Sequence, residues 1–187
     1  DPARWEELQR KLDIKIKPWK KYGDYILITC QRHGGWSMDQ LDLIQWLHPL
    51  IQNIRRHSER PIQIRFHPGD KHNHKHMMQL RAIGHKVRYS SPSVSLLKDL
   101  HDAYCVISYN SSPGVVSAIE GVPVFVLDPE RSQAADVANT NLANLERPQY
   151  EFDRESWLKR LAMSHWRLDE LASGECWKHM RKWAWTQ

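Results

Sequence analysis

The chain has 187 residues, room for one ordinary domain or one large half of a two-domain enzyme but not for two full catalytic domains. With 41% hydrophobic residues, 26% charged and nine Trp, it can bury a core and is too rich in aromatics for a disordered tail. Its apolar runs stop far short of the ~20 residues that span a membrane, and 27 Lys and Arg against 22 Asp and Glu favour an anionic partner, with phosphate-bearing ligands and nucleic acid both open.

The opening residues lack the basic, apolar and small-residue succession of a secretory signal. Cys30, Cys105 and Cys176 are odd in number and widely spaced, and the first two lie in apolar runs, where a reduced buried thiol is expected. Together these suggest a cytoplasmic setting. Residues 1–23, with Lys15, Lys17, Lys20 and Lys21 around Pro18 and Trp19, read as a lead-in or linker. An alternation of β-branched runs with helical stretches then begins. Strands are expected over Tyr25–Cys30, Pro61–Phe66, Lys86–Tyr89, Tyr104–Tyr109 and Val122–Leu127. Helices are expected from about Asp39 to His57, over His72–Ile83, from a cap at Ser93 through Leu100, and over Pro113–Glu120. About five βα units of this kind imply an α/β fold over residues 24–150, a Rossmann-like parallel sheet with helices on both faces and right-handed crossovers. From Asp153, a plausible N-cap, the spacing of Trp157, Leu161, Trp166, Leu168, Leu171, Trp177 and Trp183 is helical without strands, so 151–187 reads as a helical tail, broken near Ser173-Gly174 and packing on the domain or on a partner.

Three loops carry the chemistry, and each follows a predicted strand, on the edge where such sheets bind ligands. Asn110-Ser111-Ser112-Pro113-Gly114 leads from strand to helix, with small residues and backbone N–H groups suited to an anion, and Glu120 ends that helix; the same stretch also suits a plain turn and helix start. Arg65-Phe66-His67-Pro68-Gly69-Asp70 offers a guanidinium fork for phosphate and an imidazole that can donate a hydrogen bond or a proton; the structural alternative pairs Arg65 with a carboxylate. Gln31-Arg-His33-Gly34-Gly35-Trp-Ser-Met38 supplies a third histidine-bearing loop, whose two glycines admit close approach of a ligand or simply make a connection. His33, Arg65 and His67 are the candidates for catalytic work; Gly34, Gly35, Arg65, His67, Asn110, Ser111, Ser112, Gly114 and Glu120 are the candidates for ligand binding. His72, His74 and His76 share a helix face only in part and lack a completing Cys or carboxylate, so no metal site is expected.

Taken together, Arg65-Phe-His67-Pro68, Asn110-Ser-Ser-Pro-Gly114 and Glu120-Gly-Val-Pro-Val124 resemble the carboxyl-terminal half of a GT-B glycosyltransferase, most nearly the capsule-polysaccharide type related to bacterial Kdo transferases. Teichoic-acid glycerophosphotransferases share a similar His-Pro and Ser-Ser arrangement, and the chain also resembles phage-encoded proteins of this cast. The resemblance covers residues ~24 to 183, in line with one half of a two-domain enzyme. It implies that this half holds a nucleotide-sugar donor as substrate, without a separate cofactor. The His-Pro loop and the Ser-Ser-Gly helix start would face the donor phosphates, and Glu120 would lie near the ribose. A facing amino-terminal half would supply the acceptor site. The chain is then expected to self-associate or to dock against such a half, and its acceptor is a polysaccharide or a modified DNA base. A reading from another class is a non-catalytic basic module that binds nucleic acid or a partner protein, through the lysines at 15, 17, 20 and 21.

Overall fold

The computed structural model describes residues 15–31, 42–109 and 112–165, the side chains of 162–165 excepted, together with Glu6 and Arg10. His33, Gly34, Gly35, Asn110, Ser111, Cys176, the tail beyond His165 and its Ser173-Gly174 break lie outside the described residues. Five strands, β1 (Tyr25–Thr29), β2 (Ile62–Arg65), β3 (Arg88–Tyr89), β4 (Ala103–Ser108) and β5 (Val124–Val126), form one parallel sheet in the order β3-β2-β1-β4-β5. The expected α/β fold is thus the observed one. Four helices connect the strands: α1 (Leu43–His57), α2 (Asn73–Ile83), α3 (Leu96–Asp102) and α4 (Pro113–Ile119); α5 (Arg154–His165) follows.

The strands are buried on both faces because both are covered. Ile26, Ile28, Ile62, Ile64, Cys105 and Ile107 pack against Leu43, Leu47, Leu50, Ile51 and Ile54 of α1 and Leu80 of α2. The alternate residues Tyr25, Leu27, Ala103 and Val106 pack against Leu96 and Leu100 of α3 and Val116 of α4. Period-two alternation in the strands thus feeds two apolar layers, which is why the runs read as continuously hydrophobic. The α1 helix begins where Asp42 Oδ1 accepts the Ile44 and Gln45 N–H groups, and it ends with Arg55, Arg56 and His57 against the negative end of its dipole.

One cap differs from expectation. Ser95, not Ser93, starts α3: Ser95 takes an extended conformation and its Oγ accepts the Lys98 N–H, whereas Ser93 is held in a turn by Ser91 Oγ. The helix continues two residues past Leu100 because Asp102 is still inside its hydrogen-bonded turn.

The lead-in, from residue 15, is part of the body rather than a free linker. Its backbone bonds Lys17 N–H to Ile119 O (2.9 Å), Lys20 N–H to Gly121 O (2.7 Å) and Asp24 N–H to Asp102 O (2.7 Å), capping the carboxyl ends of α3 and α4. Trp19 lies edge-on to Phe152 and beneath the Arg154 guanidinium, 3.9 Å from its ring centre. Asp153 caps α5 as expected, accepting the Ser156 N–H at 3.0 Å, and Trp157 and Leu158 are buried against Val115, Ile119 and Val124. The start of the tail therefore packs on its own domain. Cys30 and Cys105 are free and buried, and burial pushes both thiols well above the usual range, so neither is a thiolate nucleophile. Among the described residues no helix is long and apolar enough to cross a membrane.

Candidate functional site

In a sheet ordered 3-2-1-4-5, the connections leave β1 in one direction and return to β4 on its other side, so the crevice at the carboxyl ends of β1 and β4 is the topological switch point. Register puts Thr29 beside Arg65 on one side and beside Ser108 on the other, one residue from each of three adjacent strands, at their carboxyl ends. All three are buried, at 1%, 6% and 0% exposure. Among the described residues, Thr29 Oγ1, Ser108 Oγ and the Arg65 Nη2 have no hydrogen-bond partner. Buried polar atoms are nearly always satisfied, so three orphans in one row at the switch point mark a place built for more than packing.

Arg65 is anchored from the other arm. Its Nη1 donates to Asp99 Oδ2 at 2.7 Å and to Val94 O at 2.9 Å, and Asp99 Oδ1 also accepts from Gln63 Nε2. The carboxylate alternative raised by the sequence is therefore present, with side chains only 7% and 5% exposed, while Nη2 has no hydrogen-bond partner among the described residues. A buried pair of this kind adds little net stability and is costly to break, so its position matters more than its strength.

Two residues past Arg65, the His-Pro-Gly turn closes on itself: Asp70 N–H bonds His67 O at 3.0 Å, and Asn73 Nδ2 bonds the same carbonyl at 2.9 Å. The Gly69 N–H donates to His67 Nδ1 at 3.0 Å, so the neutral imidazole carries its proton on Nε2. A Cβ at Gly69 would lie 3.1 Å from the imidazole, a tight contact that would press on the ring. Neighbouring strands lie ~4.8 Å apart, so the β2 and β4 loops leave the sheet ~10 Å from each other, flanking β1.

On the β4 side, Ser112 precedes α4 with no side-chain cap, and Pro113 has no N–H to satisfy. Gly114 sits over Ser108, where a Cβ would come 3.1 Å from Ser108 Oγ. The structure thus brings Arg65, His67, Ser112 and Gly114 to one sheet edge.

Glu120 is not brought there. It ends α4 at the opposite, amino edge, where its carboxylate pairs with Lys17. The expected place near a ribose fails geometrically, since a strand-to-helix connection returns the helix end to the edge opposite its start. That amino edge holds a cleft of about 830 Å³, lined in part by Lys17, Lys20, Tyr22, Asp24, His101 and Glu120. Its lysines are engaged: Lys17 with Glu120, and Lys20 Nζ with the Leu100 and His101 carbonyls, its pKa lowered by burial despite the raising influence of Asp102 and Asp24. Sequence reading missed Thr29 and Ser108, whose signal is only a hydroxyl closing an apolar strand, and Asp99, whose partnership with Arg65 spans 34 residues. Among the described residues, no group of three or more His, Cys, Asp or Glu could hold a metal ion.

No model of a protein family matches this chain, and no curated protein does. Solved structures do. The β-Kdo 2,7 transferase of Thermosulfurimonas dismutans KpsC matches with a TM-score of 0.55 at 17% identity, covering 84% of this chain and 53% of that one. The β-Kdo 2,4 transferase of the same organism's KpsC matches with a TM-score of 0.47 at 14% identity, covering 78% of this chain and 55% of that one. The chain spans about half the length of these structures. At such identity the likeness to the first shows the fold, one shared with a glycosyltransferase.

Proposed function

We propose that this chain is the nucleotide-sugar-binding half of a glycosyltransferase. The observation that carries this reading is the row formed by two buried hydroxyls and the Arg65 Nη2, without hydrogen-bond partners among the described residues, at the switch point between the His67 loop and the start of α4. The GT-B-like motifs and the fold shared with a Kdo transferase support it. In the proposed reaction the bond between the sugar's anomeric carbon and the donor phosphate breaks, the nucleotide leaves with the electron pair, and an acceptor hydroxyl oxygen takes its place. Negative charge grows on the leaving phosphate. The His67 Nε2–H, the Gly114 N–H at the start of α4 and the positive Arg65 are the groups that would stabilise it, and His33, Gly34, Gly35, Asn110 and Ser111, outside the described residues, are assigned to the same site on their sequence alone. The acceptor's proton and orientation would be handled by a facing half or a second chain.

Calorimetric titration of CMP, CDP, UDP and GDP tests the reading, and at least one is expected to bind. His67→Ala and Ser112→Ala should each weaken that nucleotide about tenfold or more, as loss of a charge-assisted hydrogen bond worth ~1.5–3 kcal/mol requires, with Tm unchanged. Absence of binding by all four nucleotides removes the proposal, and unchanged affinity in both variants makes the loops structural.

A further inference from the structure

Charge is divided unevenly between the two sides of the sheet. Residues 43–95, which build α1, β2, α2, β3 and the loop after it, contain nine Lys and Arg and only two carboxylates, Glu59 and Asp70. The rest of the chain contains eighteen Lys and Arg against twenty Asp and Glu. Of the two carboxylates, Asp70 is buried, its Oδ1 accepting the His72 N–H. Of the nine cations, Arg60 is paired with Glu146 and Arg65 with Asp99. The other seven, Arg55, Arg56, Lys71, Lys75, Arg81, Lys86 and Arg88, are all exposed, and among the described residues none has a carboxylate partner.

Seven exposed cations without counter-charges repel one another and raise the local potential, an arrangement that a bound polyanion relieves. We propose that this side of the molecule, from the carboxyl end of α1 across α2 and around the edge strand β3 to Arg88, whose guanidinium lies over the Tyr25 ring on the other face of the sheet, is a nucleic-acid-binding surface. Four of the seven are arginines, whose planar forks match phosphate oxygens. Aromatic surface is interleaved with them at the exposed sheet edge: Tyr89 stacks on Phe66 at 5.7 Å, and the Arg81 guanidinium lies 5.6 Å from the Tyr89 ring centre. The eleven residues of α2 run ~16 Å, about five base-pair steps of duplex. Of the lysines at 15, 17, 20 and 21, Lys17 and Lys20 are bonded to the body and Lys21 lies over Tyr150. The proposal is independent of the donor reading, since none of the seven belongs to the switch-point row.

Fluorescence anisotropy of a labelled 20-base-pair DNA duplex, titrated with the full chain between 50 and 200 mM salt, tests it. With five to seven phosphates neutralised, log affinity should fall against log salt with a slope of about −4.5 to −6. Lys86→Glu/Arg88→Glu and Lys75→Glu/Arg81→Glu, all at exposed positions, should each lower affinity at least tenfold and flatten the slope by about 2. Lys159→Glu/Arg160→Glu, on the opposite side, should leave both unchanged. Nucleotide titration of the same variants should match the parent, which separates this face from the donor site. No duplex binding at 50 mM salt overturns the proposal. So does a loss confined to the 159/160 variant, or tighter binding of polygalacturonate or phosphatidylglycerol vesicles than of DNA.

Discussion

The two sides of the sheet solve the same packing problem with different surfaces. On the β4–β5 side several cations are matched to carboxylates, Lys17 to Glu120, Arg131 to Asp128 and Arg160 to Asp136, and the lead-in and the start of α5 lie across the helix ends and strand edges. On the β2–β3 side the sheet ends in a two-residue strand, and seven of the nine cations of residues 43–95 stand without a carboxylate partner among the described residues. Charge matching belongs to the side where chain segments must dock on each other, and unmatched charge to the side that no described segment covers. The switch point lies on the seam, and the Arg65–Asp99 pair ties β2 to α3, the helix that crosses between the two sides.

Breaking that seam should have the largest effect. Asp99→Ala strands a buried guanidinium, and a loss of ~3–5 kcal/mol is expected in urea or thermal unfolding. Arg65→Met combined with Asp99→Leu should recover most of it while leaving nucleotide binding impaired, which distinguishes positioning from mere stability. Failure of the double variant to regain stability would mean that the pair supports more than itself.

The closed side can be opened at Gly121. Its φ of +80° disfavours any L side chain, and a Cβ would stand 2.1 Å from the Pro18 carbonyl oxygen. Gly121→Ala should cost ~2–3 kcal/mol and make the lead-in the first segment cut in limited proteolysis. Unaltered stability would show that the lead-in is only loosely attached. By contrast, Met78→Ala or Ile83→Ala on the exposed surface of α2 should stay within ~0.5 kcal/mol.

The smallest effect is set by pH on the open side. His48 Nδ1 and His85 Nε2 stand 2.7 Å apart, sharing one proton. Burial, and then the charges of His48 and Arg55, hold the His85 imidazole below its usual pKa. The folded chain therefore refuses a proton that the unfolded chain accepts, so stability is intact above pH ~6.5 and declines as pH falls through that value, levelling once His85 titrates in the folded state. A Tm profile should show this gentle decline, and His85→Gln should flatten it; an identical profile in the variant would place the titration elsewhere.

The sequence by itself determined the layers. The short, nearly continuous apolar runs at Tyr25–Thr29 and Ala103–Ser108, alternating with helical stretches, read as strands covered on both faces, and the Leu43 to Ile54 stripe at helical spacing supplies one cover. It also marked the Arg65-Phe-His67-Pro and Ser112-Pro-Gly114 loops, because glycine, proline and small polar residues after a strand record a local turn. Glu120 shows where local reading stops: its distance along the chain from Ser112 is short, yet the helix between them carries it to the other edge of the sheet. Whether Arg65 faces a ligand or a carboxylate depended on Asp99, 34 residues away, and Lys20 looks solvated until the end of α3 is brought beneath it. Such pairings are decided by the tertiary structure, since a charge has no preferred partner until folding sets the distances and removes the water between them.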